Sequence, residues 1–285
     1  MILLDTGPTA RGWHRLEAVL RCPQLYAWGY GQGGENPGHD RFGDSPALVR
    51  GSIGHAGLAH AYARMRWTQE GEPWGACPYY MPLEAMRLVA EKHGDVGAEM
   101  LPIAEAAVRA YARHYVREPF KVIGVEEAVE TKFGPYPYTA RLDLVTEDRG
   151  GQVWITDHKF VSRIEGKVFR RYCLSGQFLG LQWIGMRQWG KRFGGVRLNL
   201  VGCNVIAFAR ASPMPAPWML QRFPTVVVHA EELIARVKAL AAAGKEIPAA
   251  PSEHTCMTSY GECPAFELCR WGENWLTKED DQESA

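Results

Sequence analysis

Two aspartates and a lysine stand where they can meet. Tyr138-Thr139-Ala140-Arg141-Leu142-Asp143-Leu144-Val145 and Val153-Trp154-Ile155-Thr156-Asp157-His158-Lys159-Phe160 are rich in β-branched and aromatic residues. Glu147-Asp148-Arg149-Gly150-Gly151 between them is a polar, glycine-bearing turn. The pattern predicts a β-hairpin. Side chains alternate along a strand, so Asp157 and Lys159 share a face and His158 points away. With the turn centred near Gly150, Asp143 falls opposite Asp157 or one residue off. Paired carboxylates without compensation are costly. A divalent cation relieves that cost and gives the patch Lewis-acid chemistry. The same three residues would also make ordinary ion pairs on a surface hairpin.

The elements that must hold this patch are legible on either side of it. Residues 46–67 predict a helix, with Pro46 suited to an early position. Gly51, Gly54 and Gly57 recur there every third residue, which leaves a smooth face for close packing at a cost in helix propensity. Residues 83–92 and 98–117 read as further helices, and 122–133 as a strand leading into the hairpin. Beyond it, 172–190 reads as an amphipathic helix, 196–209 as one strand, 225–229 as a short strand and 230–243 as an amphipathic helix. The glycine-rich stretch 29–45 reads as a loop, and 278–285 as a polar, flexible tail. Helices alternating with strands in this order predict an α/β fold, a mixed central sheet with helices packed on it.

Composition narrows the chemistry. The chain has 285 residues, 46% hydrophobic, with a formal net charge of zero. A protein that coats nucleic acid electrostatically is usually basic, so a nucleic-acid partner must be held by a local site. Arg163, Lys167, Arg170 and Arg171, against the single acid Glu165, offer such a concentration just after Lys159. No stretch approaches transmembrane length, and Met1-Ile2-Leu3-Leu4-Asp5 lacks the features of a signal peptide. Seven cysteines, an odd number, argue against a disulfide framework and for a reduced, cytoplasmic setting. Cys256, Cys263 and Cys269 lie within fourteen residues, and with Cys22 far upstream they could supply four thiolates. Four thiolates suit an iron–sulfur cluster or Zn²⁺. Cys77, Cys173 and Cys203 have no partners by spacing and read as structural.

Arg141-Leu142-Asp143-Leu144-Val145 followed by Ile155-Thr156-Asp157-His158-Lys159 resembles the active-site signature of the PD-(D/E)xK nuclease superfamily. Asp-x-Lys is the triplet of its RecB-like branch. Arg50-Gly51-Ser52-Ile53-Gly54-His55 resembles that branch's helix with a metal-binding histidine, at His55 rather than His60. Tyr172-Cys173-Leu174-Ser175-Gly176-Gln177-Phe178 resembles its glutamine-bearing helix, at Gln177. Two departures are that Ala140 stands where glycine is common, and that Leu181-Gln182-Trp183 lacks the usual tyrosine. One cysteine before the core and three after it resemble the iron–sulfur-clasped members, the AddB-type helicase-nucleases and CRISPR-adaptation exonucleases. Cys263 and Cys269 reproduce their spacing, while the gap from Cys256 to Cys263 is longer than theirs.

The resemblance implies a single nuclease domain over 1–285 with a restriction-endonuclease-like core at about 46–245. Cluster-binding segments at about 15–30 and 250–275 would join the two ends of the chain. It implies Mg²⁺ or Mn²⁺ held by His55, Asp143, Asp157 and the His158 carbonyl. Lys159 would orient or deprotonate the attacking water or stabilise the transition state, a base needing a depressed pKa, and Gln177 would support the site. A [4Fe–4S] cluster on Cys22, Cys256, Cys263 and Cys269 is implied, with Zn²⁺ as the alternative. The reaction would be hydrolysis of DNA phosphodiester bonds, as an exonuclease on single strands or ends, with Arg163, Lys167, Arg170 and Arg171 meeting the DNA. Helicase, recombination or CRISPR-adaptation proteins would be partners. Two other readings stay open: a non-catalytic DNA-binding or assembly subunit on a nuclease-like fold, and a zinc-stabilised interaction module.

Overall fold

The structure, a computed structural model, describes residues 1–30, 45–258 and 261–271. Residues 31–44 of the expected loop and the whole 278–285 tail lie outside the described residues. In chain order the helices are α1 (Trp13–Arg21), α2 (Pro23–Tyr30), α3 (Pro46–Gln69), α4 (Pro82–Glu91), α5 (Gly94–His114), α6 (Gly166–Tyr172), α7 (Gly176–Trp189), α8 (Pro217–Ala242), α9 (Glu253–Cys256) and α10 (Phe266–Trp271). The strands are β1 (Lys121–Phe133), β2 (Tyr136–Glu147), β3 (Val153–Val161), β4 (Phe193–Gly202) and β5 (Ala207–Ala211), with a short pair, β6 (Met257–Thr258) and β7 (Gly261–Glu262). Among the described residues no helix is long and apolar enough to cross a membrane.

The chain divides into two compact units, Met1–Trp13 with Asp44–Val226, and His14–Gly43 with Val227–Ala285. In the first, the strands form one five-stranded sheet in the order β1-β2-β3-β4-β5. Neighbours are antiparallel except β3 and β4, which run parallel. A parallel pair needs a crossover, and α6 and α7 supply it. Ile53, Leu58, Met86 and Val108 from α3, α4 and α5 cluster with Leu144 and Val201 of the sheet. Phe178 and Leu181 of α7 cluster with Leu142, Ile155 and Leu198. The expected mixed α/β sheet flanked by helices is the observed one.

Two local expectations are corrected. Residues 196–209 form the hairpin β4–β5 rather than one strand. The N–H groups of Cys203, Asn204 and Val205 turn to the carbonyls of Val161 and Ser162, and asparagine favours such a turn. Residues 225–229 are helical, inside α8. Phe223, Val227, Ala230, Ile234 and Val237 are buried at spacings of four and three, and this helical period overrides the β-branched run Thr225–Val228.

The glycines of α3 do not share one face either. Three residues turn a helix by about 300°, so each step drifts about 60°. A Cβ on Gly54 would lie 2.4 Å from the Phe160 ring of β3, and one on Gly57 would lie 2.6 Å from Met86 Sδ of α4, while one on Gly51 would meet nothing within 4 Å. Gly54 therefore sets how closely α3 approaches β3. Gly54→Ala is expected to cost about 1–3 kcal/mol in urea unfolding through overpacking, with part recovered by adding Phe160→Leu. Gly51→Ala should instead stabilise by about 0.5–1 kcal/mol through helix propensity. Equal unfolding midpoints for wild type and Gly54→Ala would contradict this packing account.

In the second unit, Arg15 pairs with Glu231. The Arg21 guanidinium donates to the Thr255 carbonyl through Nε (2.8 Å) and Nη2 (2.5 Å).

Candidate active site

The pairing of β2 with β3 runs from Glu147↔Val153 only as far as Leu144↔Thr156. One step further, in the same register, Asp143 and Asp157 face each other. From there the strands part: β2 continues along β1 and β3 along β4. The opposing aspartates therefore stand at the mouth of a notch. Farther along, Thr139 of β2 is hydrogen-bonded to Arg11 of the N-terminal segment through both its N–H (3.3 Å) and its Oγ1 (3.0 Å).

Each predicted catalytic side chain reaches this notch. Asp143 Oδ2 accepts the His158 N–H at 2.8 Å, and His55 Nδ1 of α3 lies 3.5 Å from the same oxygen. Asp157 Oδ1 accepts from Gln177 Nε2 of α7 at 2.8 Å. Lys159 Nζ sits 2.8 Å from Asp157 Oδ2, an ammonium–carboxylate pair inside the notch. His60 faces elsewhere: its Nε2 accepts the Leu4 N–H at 3.1 Å and its Nδ1 lies 3.3 Å from the Tyr80 carbonyl.

The His158 ring points to the opposite side, as alternation requires. It stacks on Tyr62 at 5.8 Å and 5° and lies 2.7 Å from Asn199 Nδ2. Asn199 Oδ1 accepts from Arg210 Nε at 3.0 Å, so its Nδ2 donates to His158 Nδ1 and the ring proton is on Nε2. Arg210 is in turn paired with Glu118. This buried chain anchors the peptide whose N–H holds Asp143.

One site residue escaped the sequence reading. Glu126 of β1 sits opposite Asp143, between the pairs Val125↔Leu144 and Glu127↔Leu142. It is 8% exposed and its Oε2 has no partner. Its φ of 50° lies in the left-handed region, a strain that side chains with a Cβ rarely accept. Among the described residues, His55, Glu126 and Asp143 bring ligand atoms within 4.8 Å of one another. Arg141 steadies this end of the sheet, donating to the Gly7 carbonyl (2.9 Å) and the Glu126 carbonyl (3.4 Å) and pairing with Asp5 (2.5 Å). The available signal was phase: Val122, Gly124 and Glu126 share the buried face of β1.

Electrostatics match a site built for a cation. Burial pushes Asp143 up to about 6, against Lys159 and the His158 N–H, which lower it. Burial also pushes Asp157 up to about 6, with Lys159 lowering it and Asp143 raising it. Burial and Asp143 hold Glu126 well above the usual carboxylate range. His55 is lowered to about 4 by burial and by Lys159, so it is neutral and able to ligate. Burial works against the Lys159 ammonium, but Asp157 and Asp143 outweigh it and raise its pKa. Three carboxylates, a neutral imidazole and an orphaned buried oxygen fit a hard divalent cation.

The sign of the pH response follows. Both aspartates titrate higher in the fold than their ordinary 3.8. Their contribution to stability is full below about pH 4 and is lost as pH rises through about 6. A bound cation replaces those protons. Mn²⁺ affinity is therefore expected to fall below about pH 6, by up to ~100-fold per unit when the two aspartate protons compete, with Glu126 extending the dependence upward. Calorimetric Mn²⁺ titration across that range checks this, and a pH-independent affinity would remove the pair from the ligand set.

Of the predicted basic run, Arg163, Arg170 and Arg171 are exposed, and the Lys167 side chain lies outside those described. The four predicted cysteines, Cys22, Cys256, Cys263 and Cys269, line one small pocket of the second unit. The Ala250 N–H donates to Cys22 Sγ at 3.4 Å, and the Cys263 N–H to the Cys256 carbonyl at 2.6 Å. Burial raises the Cys263 thiol. Burial, then Cys256, Cys22 and Cys263, raise that of Cys269. Among the described residues no three of these sulfurs lie within 4.8 Å of one another. Cys77, Cys173 and Cys203 are not among the residues lining that pocket.

A family model described as the PD-(D/E)XK nuclease superfamily matches residues 13–270. No curated protein matches the chain. Among solved structures, "Crystal structure of SSO0001" is similar at a TM-score of 0.31 and 15% identity, covering 64% of this chain and 74% of that one. A likeness of that size carries no argument.

Proposed function

Because this chain belongs to the PD-(D/E)XK nuclease superfamily, we propose that the notch between β2 and β3 hydrolyses phosphodiester bonds of DNA with Mg²⁺ or Mn²⁺, as an exonuclease of the RecB-like branch. The observation that carries the reading is the convergence of Asp143, Asp157, Lys159, His55 and the orphaned Glu126 carboxylate where the strands part. When bound, the cation supplies Lewis-acid polarisation of the scissile phosphate and a more acidic water. His55, Asp143, Asp157, Glu126 and the His158 carbonyl would hold it. Gln177 fixes the carboxylate plane of Asp157. Lys159, kept protonated by its two aspartates, suits orienting the water and stabilising charge on the phosphate better than acting as the base. The exposed Arg163, Arg170 and Arg171 would meet single-stranded DNA or duplex ends.

The cysteine quartet is proposed to hold a [4Fe–4S] cluster that ties the segment around Cys22 to the C-terminal segment. When bound, the cluster contributes its binding free energy to folding. A zinc tetrahedron with Zn–S of about 2.3 Å places its sulfurs about 3.8 Å apart. The one-before, three-after order of the cysteines favours the cluster, with zinc as the alternative. A reducing, cytoplasmic setting belongs to the same reading, since thiolates must stay reduced to hold the cluster. The experiment is Mn²⁺-dependent digestion of end-labelled single- and double-stranded DNA, read for polarity. Progressive shortening from one end is expected. Intact substrates with every strandedness and metal would favour a non-catalytic DNA-binding subunit instead.

A further inference from the structure

Arg50 lies on α3, five residues before His55, which is about 7.5 Å along the helix axis. It is 8% exposed. Its guanidinium crosses to the end of β3, where Nη2 donates to Ser162 Oγ at 3.3 Å and Nη1 to Asn204 Oδ1 at 3.5 Å. Both contacts are long, both partners are neutral, and Nε has no partner. Among the described residues no carboxylate pairs with Arg50. A covered cation paired only with neutral groups is costly, and among the described residues its five N–H donors meet two distant oxygens.

Backbone hydrogen bonds tie the segments that surround Arg50. The N–H groups of Asn204 and Val205 bond the Ser162 carbonyl, and the Cys203 N–H bonds the Val161 carbonyl. The β4–β5 turn is thereby fixed to the end of β3. Ser162 and Asn204, the two groups that meet the fork, are themselves exposed. Ser162 lies three strand residues beyond Lys159, about 10 Å, on the side where Arg163 begins the basic run.

We propose that Arg50, with Ser162 and Asn204, is an anion subsite that takes a backbone phosphate of the nucleic-acid substrate, displaced from the scissile one. The proposal rests on the nuclease reading of the notch. A guanidinium fork matches a phosphate's paired oxygens, and its charge matches the phosphate's. The subsite adds binding and register without touching the reacting atoms.

The test compares wild type with Arg50→Met and with Arg50→Gln, which can retain polar contacts to Ser162 and Asn204 but not the charge. Anisotropy of labelled single- and double-stranded oligonucleotides in EDTA gives affinity between about 50 and 300 mM salt. Mn²⁺-dependent cleavage gives KM and kcat. Both variants are expected to bind about tenfold more weakly, with a salt slope shallower by about 0.7–0.9. KM should rise by a similar factor while kcat stays within about twofold. A single methylphosphonate linkage at one position should weaken wild type and leave Arg50→Met unaffected. Competition by millimolar inorganic phosphate in wild type alone would show that the subsite also accepts free phosphate. Folded variants, by thermal melt, with wild-type affinity and salt slope would overturn the subsite while leaving the nuclease reading standing. If Arg50→Met does not fold, Arg50→Gln decides. A wild type that neither binds nor cleaves nucleic acid would overturn both.

Discussion

Asp157→Ala is expected to lose Mn²⁺-dependent cleavage and Mn²⁺ binding together, whereas Lys159→Ala loses cleavage and keeps Mn²⁺ binding. The contrast follows from what each group faces. Asp157 offers one oxygen to Gln177 and the other to the notch beside Lys159. Without it the site loses a carboxylate ligand, and Gln177 and the ammonium lose their acceptor. Lys159 is the fixed cation among Asp143 and Asp157, and a metal must share that field with it. Its removal eliminates a competitor for the carboxylates, so affinity should hold or rise. Cleavage should fall nonetheless, because the ammonium proposed to orient water and stabilise charge on the phosphate is gone. Each loss is worth several kcal/mol of transition-state stabilisation, or on the order of 10³-fold or more in rate. Electron paramagnetic resonance of Mn²⁺ separates the two variants, and circular dichroism checks the fold. Undiminished cleavage by both would sink the assignment of the notch. Loss of Mn²⁺ binding in Lys159→Ala would make the lysine a structural partner instead.

Protein isolated without air should be brown and carry iron and sulfide in cluster stoichiometry. Serine in place of Cys22, Cys263 or Cys269 should strip that content and lower the melting temperature of the second unit. The pocket joins Cys22, at the junction of α1 and α2, to cysteines more than two hundred residues later. A group bound there closes a long loop and exists only in the folded chain, so its binding free energy is folding free energy. For structural metal sites that term is about 10 kcal/mol or more, comparable to the whole stability of a domain. Cys256 tests the unusual spacing: its carbonyl already accepts the Cys263 N–H, so the longer gap is taken up by backbone pairing rather than by moving the thiol away. Cys77→Ser should leave metal content unchanged. Stoichiometric zinc without iron would replace the cluster with the zinc reading, and neither metal would refute both.

Much of the hairpin was legible because its rules are local. Alternation separated His158 from Asp157 and Lys159, and the glycine turn set a register within one residue of the observed one. The β4–β5 turn and the α8 start were misread because β-branched composition is a weak signal where burial decides the period. The glycines of α3 misled for a different reason: a three-residue repeat drifts around a helix, and each glycine meets a different neighbour.

The sequence by itself determined which residue types are available and which of them share a strand face, since side-chain direction is set within two residues. It also determined that four cysteines flank the core. The tertiary structure alone decided that β2 and β3 part at the aspartates, and that the His55 ring comes to 3.5 Å from Asp143 Oδ2. It alone bent Glu126 through a left-handed conformation toward Asp143, and left Arg50 covered with no carboxylate partner among the described residues. Those outcomes depend on burial and on contacts between distant segments, and on a desolvation cost that no local pattern encodes. The same cost lifts the aspartates to about 6 and makes the notch a place for a cation.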